Sequence, residues 1–398
     1  MTAKRLPLAG FRILSAEQYG AGPYGTMFLA QMGAEVIKIE TPKGGDTARM
    51  VGPHYLRKGE SLYFQSFNLN KRSLTLDLNS EEGQDILHRL VKTSHAVVNN
   101  LRGDLPARLG LTYDSLSQYN PGLVCAHLSA YGRDNERARW PGYDYLMQAE
   151  AGWMSLTGEP DAPPARAGLS LVDFMTGTIM TVGLLGAMID AQRSGAGRDV
   201  DVDLLSTAVH QTSYPAVWYL NEADVTGRAP RSAHPSVTPS QMFRAADGWV
   251  FVMAQLPKFW DILTDKIGQP ELAADARFLT PADRLANRAL LTEMLDGIFS
   301  QQPVAHWVEL LAGHIPVSPV YGLDQALDNP YLETTQMIDT VSHPDREAMR
   351  VLSNPIRFGG QRLPNQAAPL LGADTDALLA ESGFAADEIA SLRERGIV

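Results

Sequence analysis

The chain has 398 residues, 44% hydrophobic and 20% charged, the composition of a soluble globular protein too long for one core, so two domains are expected. Its net charge of −11 argues against nucleic acid or an anionic membrane as the main partner, and an anionic ligand would need a local basic patch. A single cysteine, Cys125, excludes an internal disulfide and fits a reducing cytoplasm, and MTAKRLPLAGFRIL at the N-terminus lacks the apolar run of a signal peptide.

FRILS (11–15) reads as a strand. The stretch Gly-Ala-Gly-Pro-Tyr-Gly (20–25) is a literal GxGxxG, and Pro23 suits the first turn of a helix through Met32. AEVIKIE (34–40) is the next strand, ending on Glu40, so the spacing matches a dinucleotide fingerprint. Several residues separate the first strand from Gly20, however, whereas such a fingerprint follows its strand almost directly. SLTLDL (73–78) alternates like a strand, and NSEE (79–82) predicts a capping box with Asn79 at the N-cap and Glu82 three residues on. That helix runs to about Lys92, and HAVVNN (95–100) and LVCAHLS (123–129) are further strands.

Strands alternating with helices predict a parallel sheet, whose ligands bind outside the carboxyl ends of the strands. The segments at that end are 15–25, 41–49, 99–110 and 129–145. TPKGGDTAR (41–49) supplies two glycines, Lys43 and Arg49, and NNLRGDLPARLG (99–110) supplies Asn100, Arg102 and Arg108. Backbone amides and guanidinium groups are what phosphates require. Either loop alone reads more readily as solvated surface; three at one end of a sheet shift the reading toward a phosphate-bearing ligand.

The apolar run Phe174–Ile189, between Asp173 and Asp190, is shorter than the roughly 20 residues of a bilayer span, and a buried core helix is expected. In SLVDFMTG, Asp173 stands where an extended segment meets that helix. It reads as an N-cap or, with the same geometry, as a carboxylate kept ionised by the helix terminus and able to attack an activated acyl group. A Gly-rich turn, a strand and a helical stretch follow to about Asn221. The expected organisation is a large domain over 1–221, a polar, Pro-rich linker over 222–240 and a smaller α+β domain over 241–323. The return segment, 324–398, reads as mostly extended and ends in a short charged helix. The nine histidines form no HxxxH or HExxH, so no metal site is indicated, and no GxSxG is present.

Read together, these segments resemble the class III CoA-transferases, the carnitine and bile-acid CoA-transferase group that includes formyl-CoA transferase. The matching stretches are AGPYGTMFLAQMGAEVIKIETPKGGDTAR, FNLNKRSLTLDLNSEEG, NNLRGDLPARLGLTYDSL, LSAYG, PGYDYLMQAEAGWMSLTGEP and LVDFMTG, followed by DARF, Arg284, IPVSPV and APLLGADTDALL. They run in order from about residue 7 to 398. The resemblance implies a Rossmann-like large domain, a smaller α+β domain and an interlocked homodimer. It also implies that the ligand of GAGPYG is coenzyme A, used with acyl-CoA and small carboxylic acids as substrate, with no permanently bound cofactor. It carries the nucleophile onto Asp173 and the CoA contacts onto Gln18, Leu76, Asn100, Arg108 and Tyr131, with Arg102 beside them as a second phosphate-binding arginine.

Two departures narrow the expectation. Where formyl-CoA transferase carries a Gly-rich flap, this chain has SAHPSVTPSQMF without a glycine, so acids larger than formate and oxalate are expected. Arg49, His54 and Arg166 lie in segments that could reach a distal carboxylate of such an acid. The residue before AGP is Gly20 rather than a glutamine. The alternatives are a 2-methylacyl-CoA racemase of the same superfamily, a catalytically silent CoA-binding protein and an NAD-dependent oxidoreductase. The racemase needs a histidine base where this chain has Tyr143, a poor proton acceptor at neutral pH.

Overall fold

The computed structural model describes residues 5–398, which form two compact units. The first comprises 5–151, 168–211 and 331–398, and the second 152–167 and 212–330.

In the first unit six parallel strands form one sheet: β1 (Arg12–Ala16), β2 (Glu35–Glu40), β3 (Arg72–Thr75), β4 (Ala96–Asn99), β5 (Val124–Ser129) and β6 (Arg198–Asp203). Their spatial order is 3-2-1-4-5-6, the doubly wound arrangement expected from the alternation of strands and helices. β4 and β5 are buried at every position, which a parallel sheet covered on both faces requires. On one face Leu14, Ile37, Leu74, Val97 and Cys125 pack against α2 (Glu81–Val91) and two C-terminal helices, Thr375–Glu381 and Ala386–Glu394. The chain's return to this unit also includes a hairpin of Ile338–His343 with Arg346–Leu352, so the tail is more structured than its sequence suggests.

Two local expectations are corrected. The N-cap of α2 is Ser80, whose Oγ accepts the Gly83 N–H at 3.0 Å, while Asn79 turns back to donate to Asp77. The strand predicted over 73–78 leaves the sheet after Thr75.

On the other side, α1 (Ala21–Gln31) packs against a long helix that runs Leu171–Ser194. With 24 residues it is longer than its apolar run implied, and by length and composition it could cross a bilayer; half of its most apolar window is buried within the protein. The two helices cross through glycine. A Cβ on Gly25 would lie 2.4 Å from the Gly177 carbonyl oxygen, and one on Gly177 would lie 2.3 Å from the Ala21 carbonyl oxygen. Thr181 Oγ1 then donates to the Gly25 carbonyl at 3.1 Å.

The second unit is built on a three-stranded antiparallel sheet of Ser240–Arg244, Trp249–Met253 and Val317–Pro319. Helices Pro257–Lys266, Arg288–Phe299 and Val304–Leu311 cover it around a core of Phe243, Trp260, Phe278, Phe299 and Trp307.

Candidate active site

The chain order places the topological switch between β1 and β4, where α/β sheets bind ligands. A cavity of about 270 Å³ opens there. All four segments at the carboxyl end contribute to it: Gln18 to Ala21 after β1, Thr47, Asn100 to Arg102 after β4, and Ser129, Ala130 and Trp140 to Tyr143 after β5. Asp173 also lines it.

The loop between β1 and α1 is pinned from two sides. The Asn100 side chain accepts the Gln18 N–H at 2.8 Å and donates to the Gln18 carbonyl at 2.7 Å. Tyr19 adopts a left-handed φ of 69°, unfavourable for a tyrosine, and its N–H donates to Asp46 Oδ1 at 3.0 Å. Asp46 is in turn paired with Lys38 at 2.8 Å, Lys38 donates to the Glu17 carbonyl at 2.8 Å, and Glu17 pairs with Lys71 at 2.8 Å. All four side chains are buried. Burial brings the Lys71 ammonium down to about 8, against the opposing pull of Glu17.

This fixed loop sets Gly20 against Asp173. A Cβ on Gly20 would lie 2.9 Å from Asp173 Oδ2, so a side chain there would displace the carboxylate. Gly22 is similarly confined by Asn100, whose Cβ would be 2.9 Å away. The three glycines of GAGPYG therefore serve close approaches within the protein: to Asp173, to Asn100 and to the helix bearing Gly177.

Asp173 is not the N-cap; Ser170 is, and Asp173 is the third helical residue. Its N–H donates to Asp144 Oδ2 at 3.0 Å, and its carboxylate accepts no hydrogen bond among the described residues. The side chain is only 9% exposed. Burial, followed by the Asp144 charge, pushes its carboxyl up to about 7, so the helix terminus does not hold it low as its position suggested. Tyr63 lies against the same spot, its hydroxyl 3.8 Å from the place of a Gly20 Cβ. Burial raises its phenol further, and the nearby Tyr19 and Asp173 add to this. The Tyr19 ring bridges Tyr63 and Tyr143, at centroid distances of 5.3 and 6.1 Å.

Of the residues singled out by the sequence, Gln18, Asn100, Arg102 and Asp173 meet in this cavity. Arg102 is held by Asp104 through contacts of 2.5 and 2.9 Å. Arg108 ends the short helix Leu105–Arg108, exposed and outside the lining. Leu76 follows β3, with its side chain in the core beneath the sheet. Tyr131 lies outside the lining, donates to Glu150 at 3.0 Å and meets Trp140, a lining residue, edge-on at 5.8 Å.

Arg49 is corrected outright. It is 1% exposed, bonded to Glu40 at 2.7 and 2.8 Å and to Glu60 at 2.9 Å, and stacked 3.8 Å from the Phe64 ring centre. It is a structural cation with nothing left to offer an acid. His54 is exposed, and Arg166 belongs to the second unit. Sequence reasoning missed Asp144, Asp46 and Tyr19; their roles rest on contacts across 27 or 29 residues, which no local spacing reveals. Among the described residues no cluster of His, Cys, Asp or Glu is arranged to hold a metal ion.

The model of CoA-transferase family III matches residues 8–375. The chain is 33% identical to an acetyl-CoA:oxalate CoA-transferase of Acetobacter aceti, over 96% of this chain and 97% of the relative. It is 31% identical to a succinate–glutarate CoA-transferase of Agrobacterium fabrum, over 96% and 97%. A CaiB/BaiF family protein of Brucella suis superposes with a TM-score of 0.84 at 30% identity, covering 95% of this chain and 100% of that one. A catalytic carboxyl candidate at the switch point of a doubly wound sheet thus belongs to a chain that matches this family over nearly its whole length: the protein is a family III CoA-transferase.

Proposed function

We propose that the protein moves coenzyme A from an acyl-CoA donor to a small carboxylic acid acceptor through a thioester between Asp173 and CoA. The observation that carries this is the Asp173 carboxyl itself: buried, lining the cavity and accepting no hydrogen bond among the described residues. An unsolvated carboxylate is a stronger nucleophile than a hydrated one, and the surroundings that penalise its anion favour its neutral acylated forms.

In the first step an Asp173 carboxylate oxygen attacks the donor thioester carbonyl, and the C–S bond breaks to give a mixed anhydride and CoA thiolate. The thiolate attacks the aspartyl carbonyl, releasing the donor carboxylate and leaving aspartyl-CoA. The acceptor carboxylate then attacks that thioester, forming a second anhydride and freeing the thiolate. The thiolate finally attacks the acceptor acyl carbonyl, which yields the new acyl-CoA and restores Asp173. Each tetrahedral intermediate carries an oxyanion, which free amides at the start of α1 suit. Arg102 and Arg108 supply positive charge for the CoA phosphates in an otherwise acidic chain. The acids are larger than formate and oxalate, and the working form is a homodimer in the cytoplasm, with no nucleic acid or membrane as partner.

Incubation with acyl-CoA followed by hydroxylamine and mass spectrometry of the Asp173 peptide tests the intermediate. A hydroxamate at Asp173 that depends on acyl-CoA is expected. Full activity in Asp173→Ala would overturn the mechanism.

A further inference from the structure

Beyond the nucleophile, one buried acid is built into the same site. Asp144 opens the helix Asp144–Glu150 and is 4% exposed. One of its oxygens, Oδ2, accepts the Asp173 N–H at 3.0 Å, and the other, Oδ1, accepts Gln148 Nε2 at 2.5 Å. Gln148 also donates to the Leu169 carbonyl at 3.2 Å, just ahead of the helix that starts at Leu171. Asp144 therefore ties down the start of that helix through the residue that carries the nucleophile.

We propose that Asp144 is a positioning residue of the transfer reaction: it fixes the backbone of Asp173 and keeps negative charge beside the Asp173 carboxyl, which tilts the equilibrium from free carboxylate toward the covalently loaded enzyme. This rests on Asp173 being the nucleophile. A bare backbone N–H needs only an acceptor, which Asn or Ser would supply; a buried carboxylate in that place adds a like charge that the fold must offset. Among the described residues Tyr63 also stands beside Asp173, with the Tyr19 ring behind it and Tyr143 beyond that. Tyrosines are neutral near pH 7, whereas the Asp144 charge, after burial, pushes the Asp173 carboxyl up.

The consequence appears twice, with one magnitude. A neighbour that penalises the Asp173 anion makes the carboxyl harder to ionise and makes neutral acyl-Asp173 more stable relative to that anion. Removing the charge lowers the pH midpoint for loading, and it lowers the equilibrium loaded fraction by the matching factor, tenfold for each pH unit. A merely structural role would not link the two.

The full-length enzyme is mixed with acyl-CoA across pH 5–9, and loading of Asp173 is followed by quenched-flow and intact mass. Asp144→Asn, and Asp144→Ser in case the amide fails to fold, remove the charge and keep an acceptor; Asp144→Glu restores the charge. The neutral variants are expected to show a midpoint about one pH unit more acidic and a ratio of loaded to free enzyme about tenfold lower at high pH. Asp144→Glu is expected to fall near the parent on both. Loading of Asp173 with an unchanged midpoint and ratio in the folded neutral variants would overturn the role of Asp144 and leave the nucleophile standing. No loading of Asp173 in the parent would remove the mechanism on which the inference rests.

Discussion

Gly20 and Asp173 occupy one another's space: a Cβ on the glycine would come within 2.9 Å of the carboxylate oxygen Oδ2. Gly20 cannot retreat, because the residues before it are held by Asn100 and Asp46. Gly20→Ala is therefore expected to swing the Asp173 carboxyl out of line and to lower kcat by roughly a hundredfold, with a small change in thermal stability. Steady-state kinetics beside a melting curve checks this. Parent-like kcat in the alanine variant would show that the carboxyl has room to spare.

The raised carboxyl of Asp173 makes a second expectation with a definite sign. Its folded-state value, about 7, lies above the ordinary carboxylate value of 3.8 expected unfolded, so the folded protein binds this proton more tightly. That contribution to stability is complete below about pH 4 and is lost as pH rises through 7. Asp173→Asn, which cannot ionise, should be more stable than the parent at pH 8, by on the order of 2–4 kcal/mol, and nearly equal to it at pH 4. Urea titrations at both pH values give the comparison. A variant less stable than the parent at pH 8 would contradict it.

Much of this arrangement was legible in the sequence, and the part that was not has a physical reason. The strand and helix periods gave the parallel sheet, and with it the end at which Gln18, Asn100 and Arg102 converge. GAGPYG was visible as a glycine motif, but its meaning depended on what approaches each glycine: Asp173, Asn100 and Gly177, all distant in the chain. Asp173 was legible as a helix-start carboxylate, yet its ionisation was misjudged, because burial and Asp144 are properties of the packed site. Arg49 looked like a free cation in a Gly-rich loop; only the fold brings Glu40 and Glu60 to its guanidinium.

That misreading of Arg49 leads to the third expectation. Removing a buried cation strands two buried carboxylates, a cost of about 3–5 kcal/mol. Arg49→Met should thus lower the melting temperature by many degrees, and whatever folded enzyme remains should discriminate among acceptor acids as the parent does. Relative kcat/KM for glutarate and oxalate in the variant provides the check. A selective loss of dicarboxylic acceptors at unchanged stability would return Arg49 to the site.

Helix crossing through Gly25 and Gly177 makes a fourth. The atoms in the way are backbone carbonyl oxygens, at 2.4 and 2.3 Å, and these cannot rotate aside as a side chain would. Gly177→Ala should force the two helices apart, at a cost of about 1–3 kcal/mol or more, and shift the loop that faces Asp173. Both stability and kcat should fall together, in contrast to Gly20→Ala. Unchanged stability would mean that the crossing has slack.

The last expectation concerns the segment that replaces a Gly-rich flap. In the second unit, the Arg288 guanidinium donates to Thr238 Oγ1 at 2.8 Å and to the His234 carbonyl at 2.6 Å, with further carbonyls of Pro235 and Val237 within 3.4 Å. Arg284, wholly buried, donates to the Thr238, Phe278 and Gln255 carbonyls at 3.3, 2.9 and 2.9 Å. Neither of these hydrogen-bonding sets contains a carboxylate, and burial lowers both guanidinium groups, so the pair is committed to holding backbone in place. A segment anchored at its carbonyls by two arginines, and lacking glycine, has little freedom to open and close. Amide hydrogen exchange over 234–241 should accordingly be slow and indifferent to acyl-CoA, and Arg288→Ala should speed it by at least tenfold. The lack of a Gly-rich flap carries its own expectation: kcat/KM should favour glutarate, mesaconate or other larger acids over formate and oxalate. Fast exchange in the parent together with a preference for formate would show a working flap and refute the inference on both counts.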